Sequence, residues 1–288
     1  MRRCFVLGIL VLALSAQSAF AWGEMGHRIV CRIAQRELTS TQRRELDRLA
    51  QLYHKHGVDY PAFPHACFFP DQVKDLPAFA SLRDVHFINV PRSAETVDAG
   101  DSSCAPAGTT CVLEGIAKHE KSLRDANNDV ARAEALFFVG HWLGDVHQPL
   151  HVSFADDRGG GRVVVASDFY PDSNLHSVWD TGIIRDAIRD IGWKAYANQL
   201  QADVTDEERE QWLASSEPLE WAQESYEITL RDDVDYCRMS GGQCRRETHE
   251  RELTEDYQEL FLPVVEMRLK QAGVRLAAEL RRLLFTGQ

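Results

Sequence analysis

Two copies of one spacing stand out in this chain. His141 and Asp145 are four residues apart, and so are His176 and Asp180. On a helix, residues four apart share a face, so an imidazole and a carboxylate can converge on one point. Both groups are ordinary zinc donors, at about 2.0–2.2 Å. Taken singly, such a pair reads as a hydrogen-bonded surface couple. Here there are two, with His151 between them in the chain. The first also lies on a strongly apolar segment containing Ala135, Leu136, Phe137, Phe138 and Val139. A carboxylate buried on such a segment needs a partner, and a metal ion is one.

These side chains need helices to hold them. Thr39 or Ser40 can cap a segment with Leu46, Leu49 and Tyr53 on one side. Val112, Ile116 and Leu123 make a second stripe, on a segment beginning near Cys111. Residues 130–148 read as a long helix stopped by Pro149, with His147 and His151 on either side of that proline. Thr205 before Asp206, Glu207 and Glu208 is a helix start. Residues 216–236 and 263–285 read as two more helices, and residues 162–166, after three glycines, as the best strand. No repeat or low-complexity linker divides the chain. The expected fold class is all-α: one mainly helical domain over residues 22–288 with a small β-hairpin excursion.

Residues 1–21 read differently. Arg2 and Arg3 precede an apolar run over residues 5–14, and Ala19-Phe20-Ala21 fits the small-x-small cleavage rule. This is the pattern of a secretory signal, and cleavage after Ala21 would make Trp22 the mature N-terminus. Beyond residue 21 nothing is apolar for long enough to span a bilayer. Cys4 would leave with the signal, so six of the seven cysteines remain, an even number that suits an oxidising compartment. Cys104 and Cys111 share a Gly/Pro/Ser-rich loop, and Cys237 and Cys244 flank Gly241-Gly242. Local bridges there would leave Cys31 with Cys67, although other pairings of six cysteines stay open. With no C-x-x-C pair, a cysteine zinc site is disfavoured. The net charge is −12, and removing the two cations Arg2 and Arg3 makes it −14. No basic run offers the footprint of a nucleic-acid binder. If the chain handles phosphates, positive charge must come from elsewhere, and bound metal ions would supply it.

The segment HWLGDVHQPLH at residues 141–151 closely resembles the core signature of the S1/P1 nucleases. Four further segments match that family in order: WGEMGH (22–27), FPDQVK (69–74), HFINVP (86–91) and NLHSVWDTG (174–182). The resemblance implies a secreted or periplasmic, monomeric hydrolase of single-stranded DNA and RNA. It would cut the P–O3′ bond to leave 5′-phosphates, with 3′-nucleotidase activity as a further expectation. It also implies three zinc ions. One would take Asp71, His86, His141 and Asp145. A second would take the Trp22 amine and carbonyl, His27, and Asp145 as a bridge. The third would take His151, His176 and Asp180. Nine residues at about three or four donors per ion leave positions open for water, as catalytic zinc requires. Asp71 would orient the attacking water, Lys74 and Asn89 would meet phosphate, and Phe87 would stack a base. Their plainer readings are a solvated lysine, a strand-end asparagine and a core aromatic beside Ile88.

His147 matches no ligand position and is expected to orient a neighbour. His54, His56, His65, His119 and His249 read as ordinary surface or hydrogen-bonding residues. One departure is visible: residues 158–161 are Arg-Gly-Gly-Gly where the family shows Gly-Gly-Asn, so Gly161 replaces an asparagine beside the third zinc. Two rival readings are a zinc phospholipase C, which shares this metal cluster, and a non-catalytic periplasmic zinc-binding protein. The first should carry an amphipathic, basic membrane-docking helix, and none stands out.

Overall fold

The computed structural model describes residues 22–97, 104, 111–171, 173–241, 243–245 and 251–285. The expected signal segment and His249 lie outside the described residues. The fold is all-α, as expected, and α6 (Asp129–Val146) is its axis. Asn128 caps α6 by accepting from the Ala131 N–H at 2.9 Å. From Ala135 onward every residue of α6 is buried, so this helix is apolar on all sides rather than on one stripe. It packs against α1 (Glu24–Glu37), α2 (Ser40–Gln51), α4 (Phe69–Val73), α5 (Val112–Asp125), α11 (Pro218–Thr229) and α12 (Glu255–Leu284). Short α3 (Phe63–Ala66), α7 (Leu175–Ser177), α8 (Ile183–Ala187), α9 (Gly192–Ala202) and α10 (Asp206–Trp212) complete the helices among the described residues.

Local chemistry explains most of the helix boundaries. Thr39 and Thr205 each close a capping box, with Gln42 and Glu208 reaching back to the cap N–H. Three boundaries differ from the sequence reading. α12 begins at Glu255 rather than 263, because Pro263 is accommodated inside the helix while Glu255 and Asp256 favour its N-terminus. The segment 216–236 is not one helix: α11 ends at Thr229, a 3-10 turn follows at Asp232–Val234, and Asp235 adopts a φ of 53°. The long central helix stops at Val146, three residues ahead of Pro149.

The β content is also more divided than a single hairpin. β1 (Ile88–Val90) runs parallel to β2 (Val152–Phe154). β3 (Val164–Ala166), the core of the expected 162–166 strand, lies between β4 (Ser173–Asn174) and β7 (Arg251–Glu252). β5 (Arg238–Ser240) and β6 (Gln243–Arg245) form a separate antiparallel hairpin. Disulfides join Cys31 to Cys67, Cys104 to Cys111 and Cys237 to Cys244, the pairing expected from loop proximity. The first ties α1 to the segment that enters α4. No helix among the described residues is long and apolar enough to cross a membrane.

Candidate metal centre

The C-terminal half of α6 presents His141 and Asp145 to a buried space that five other segments also enter. α1 supplies His27, α4 supplies Asp71, and the residue two before β1 is His86. His151 closes the 3-10 turn Pro149–His151. His176 lies in α7, and Asp180 in the π-helical turn Val178–Gly182 that follows. All eight side chains belong to residues at most 5% exposed. Asp145 is central. Its Oδ2 lies 3.1 Å from His86 Nδ1 and 3.2 Å from His141 Nε2. Its Oδ1 lies 3.4 Å from both His27 Nε2 and His151 Nδ1.

Donor atoms converge in three groups: His27, Asp71 and His141; His86, His141 and Asp145; and His151, His176 and Asp180. Trp22 is fully buried beside them. A Cβ added to Gly144 would lie 2.8 Å from His27 Nδ1 and 3.8 Å from Trp22 Cδ1. Glycine at position 144 is therefore what lets α1 and its histidine approach α6. Buried polar atoms are normally hydrogen-bonded. Here His27 Nδ1 and Nε2, Asp71 Oδ2, His86 Nε2, Asp145 Oδ1, His151 Nε2 and Asp180 Oδ2 are buried without a hydrogen-bond partner. They are imidazole nitrogens and carboxylate oxygens, the donor set a zinc ion takes, so the residues fit such ions.

Backbone carbonyls aim three of the rings. Nδ1 of His141, His151 and His176 lies 2.8, 2.9 and 2.8 Å from the carbonyls of Cys67, His86 and Gly159 respectively. A carbonyl only accepts, so each Nδ1 carries the proton, and Nε2 is the atom turned to the site. The electrostatics call for positive charge. Burial pushes the carboxyls of Asp145 and Asp180 upward, but facing histidines more than reverse this and hold both below the usual carboxylate range. His151 is raised to about 10: burial disfavours its charge, but Asp145 and Asp180 outweigh that. His27 is lowered to about 4, chiefly by burial and then by His141.

The loop behind His176 has its own support. Arg158, Gly159 and Gly160 are left-handed, with φ of 59°, 59° and 84°. A Cβ at Gly159 would sit 2.3 Å from the Leu150 carbonyl. Buried Asp157 holds this turn, accepting from Gly160 N–H at 2.9 Å, from Tyr236 Oη at 2.5 Å, and from Arg92 Nη2. The loop is thus ordered through Asp157, without a side chain at Gly161.

The other named residues fall into place around the cluster. Lys74 Nζ donates to Asp71 Oδ1 at 3.0 Å and is nearly buried. Asn89 is half-buried in β1, in register with Ser153, and Phe87 is half-buried just before that strand. His147 joins none of the three groups. Its Nδ1 donates to the Leu143 carbonyl at 2.7 Å, and Arg275 Nη1 donates to its Nε2 at 3.0 Å. His54 and His56 are exposed, and His65 is half-buried against the Trp193 ring. His119 is buried, stacked on Phe138, with Trp142 and the Gly115 carbonyl both at its Nδ1.

Sequence reasoning missed Asp157, Arg268 and Arg275. Arg268 donates to the His147 carbonyl at 3.1 Å, and both arginines share Glu224. Their signal was present: two arginines seven apart on an apolar helix lie on one face.

Three imidazole–carboxylate groups buried at one end of a helical core define a candidate metal-dependent hydrolase. The sequence model of the S1/P1 nucleases matches residues 22–285, and the chain belongs to that family. It is similar to Endonuclease 5 of Arabidopsis thaliana, 28% identical over 98% of this chain and 96% of that protein. Endonuclease 4 of the same plant is 30% identical over 96% of this chain and 93% of its own length. Nuclease S1 of Aspergillus oryzae is 28% identical over 96% of both chains. The chain is accordingly a hydrolase acting on phosphodiesters.

Proposed function

We propose that this chain is a secreted or periplasmic endonuclease holding three zinc ions, which cuts single-stranded DNA and RNA to 5′-phosphate products and also acts as a 3′-nucleotidase. In this reading residues 1–21 are a signal, residues 22–288 form one catalytic domain, and the enzyme is a monomer. The observation that carries it is the set of seven nitrogen and oxygen atoms buried in the cluster centred on Asp145 without a hydrogen bond. Three disulfides suit an oxidising compartment.

Asp71, His86, His141 and Asp145 would hold one ion. Trp22, through its amine and carbonyl, would hold a second with His27 and Asp145. His151, His176 and Asp180 would hold the third. Bound zinc would lower the pKa of water and neutralise phosphate charge, which answers the chain's acidity. Asp71 has one oxygen on Lys74 and the other without a partner, which suits it to hold a water proton as well as a ligand position. Lys74 places a cation beside it for phosphate. Asn89 offers an amide donor to charge developing on the phosphate. Phe87 offers a face for a base, which is tolerant of sequence.

The test is digestion of single- and double-stranded DNA and RNA and of 3′-mononucleotides, with and without chelator. Chelator-sensitive release of 5′-phosphorylated products from single strands supports the reading. Release of phosphocholine from lipid with nucleic acids left intact would replace it with a phospholipase. No turnover of any substrate by the zinc-loaded protein would leave a binding protein.

A further inference from the structure

Gln148 lies two residues beyond the end of α6 and is completely buried. Its backbone touches two of the candidate ligand residues. The Gln148 N–H donates to the Asp145 carbonyl at 3.0 Å, and the Gln148 carbonyl accepts from the His151 N–H at 3.0 Å. Its side chain reaches a third. Oε1 accepts from the Leu150 N–H at 2.5 Å, and Nε2 donates to Asp180 Oδ1. The amide has no freedom to flip. Leu150 N–H can only donate, so the oxygen must face it and the NH2 must face the carboxylate. Asp180 is held from its backbone too, its carbonyl accepting from Gly23 N–H at 2.9 Å. Oδ1, held by this amide, lies 3.5 Å from His151 Nε2, while Oδ2 remains buried and without a hydrogen bond, 3.1 Å from His176 Nε2.

We propose that Gln148 is a positioning residue for the His151–His176–Asp180 group: its amide engages Asp180 Oδ1 and so leaves Oδ2 as the oxygen free of hydrogen bonds for an ion held there. A carboxylate with both oxygens free could swing or chelate through both. One fixed from behind by a neutral donor keeps its charge and a single direction. Because the same residue bonds to Asp145 and His151 through its backbone, that direction is referenced to the bridging carboxylate. The inference rests on reading this group as an ion site.

The experiment measures zinc affinity by chelator competition on the full mature chain. Wild type should bind three ions, and the one lost in His176→Ala marks this group. In Gln148→Met that ion should bind about 10–100-fold more weakly, the usual effect of losing a partner behind a ligand, with the other two unchanged. Gln148→Leu likewise removes the donor to Asp180 without adding charge. It should show the same selective loss, and carries the test if the Met variant does not fold. Thr229→Val is the control. It removes a buried hydrogen bond to the same turn, from Thr229 Oγ1 to the Pro149 carbonyl at 2.7 Å. It should lower thermal stability and leave the third ion in place. Unchanged third-ion affinity in the folded Gln148 variants overturns the proposal. So does an equal loss in Thr229→Val, or weakening of all three ions together. A wild type that binds no ion through His176 overturns the ion-site reading and the proposal with it.

Discussion

Replacing Asp145 by asparagine tests the centre of the site most directly. The side chain is fully buried, and each oxygen faces a different pair of rings. Oδ2 faces His86 and His141 at 3.1 and 3.2 Å, and Oδ1 faces His27 and His151, both at 3.4 Å. An amide keeps the shape but loses the charge. It also turns an NH2 toward one of the two pairs, where no further donor is wanted. Removing one partner of a buried charge pair costs about 3–5 kcal/mol. At about 1.4 kcal/mol per decade, that is a loss of roughly a hundred- to several-thousand-fold in affinity for an ion that depends on the carboxylate. Two of the three proposed sites depend on it, so we expect one ion per chain to remain, with activity at least about a hundredfold lower. Zinc content by elemental analysis and the initial rate on single-stranded DNA read the two effects, with circular dichroism to confirm the fold. Near-normal turnover with three ions retained would refute the bridging role and the electrostatic argument behind it.

Three further perturbations follow from the geometry. Retaining an initiator Met before Trp22 converts its amine, ordinarily of pKa about 7.7–8.0, into an amide that is a poor zinc donor. With disulfides restored, the extended protein should lose the ion assigned to Trp22 and His27, and equal zinc content in both forms would show that the N-terminus is no ligand. Gly144→Ala would place a Cβ 2.8 Å from His27 Nδ1. It should lower stability by about 1–3 kcal/mol and displace that ring, and an unchanged melting temperature with full zinc would contradict the close approach. Burial holds His119 at about 4, below its usual 6.5. The unfolded chain therefore takes up a proton first as pH falls, and His119 should subtract up to ~3 kcal/mol from stability between pH 6.5 and 4. His119→Asn removes the titrating ring, so the stability difference should move in its favour across that window; parallel curves would show that His119 does not matter.

Local information carried what the sequence made legible. His141 with Asp145, and His176 with Asp180, declare themselves because four residues along a helix is one face. The capping boxes at Thr39 and Thr205 are equally local. His27, Asp71 and His86 are different. Each comes from its own element, and only the family resemblance, not spacing, pointed to them. The structure places all three beside α6. Strands of two or three residues, such as β4 and β7, are too short for alternation to reveal. Pro263 misled in a definite way: a proline was read as a boundary, whereas α12 carries it in its interior. Asp157 and Gln148 left no sequence signal of their own, because their partners arrive through tertiary packing.

Of the missed residues, Arg268 and Arg275 share one task, which explains why this end of α6 can carry chemistry. A helix normally leaves its last carbonyls to water or to a cap. Here water is excluded, because the turn between Asp145 and His151 is buried. Side chains from α11 and α12 take its place. Ser225 Oγ donates to the Val146 carbonyl at 2.6 Å, Arg268 to that of His147 at 3.1 Å, and Thr229 to that of Pro149 at 2.7 Å. Arg268 and Arg275 together face one carboxylate, Glu224, so a net positive charge remains beside the negative end of the helix dipole. That charge can be tolerated there because His147, whose ring accepts from Arg275, is held neutral by burial and by the same two arginines. The carbonyls of Val146, His147 and Pro149 are therefore already engaged. Most of the buried side-chain nitrogens and oxygens without a hydrogen bond among the described residues lie instead on the imidazoles and carboxylates of the site, where a cation would find donors.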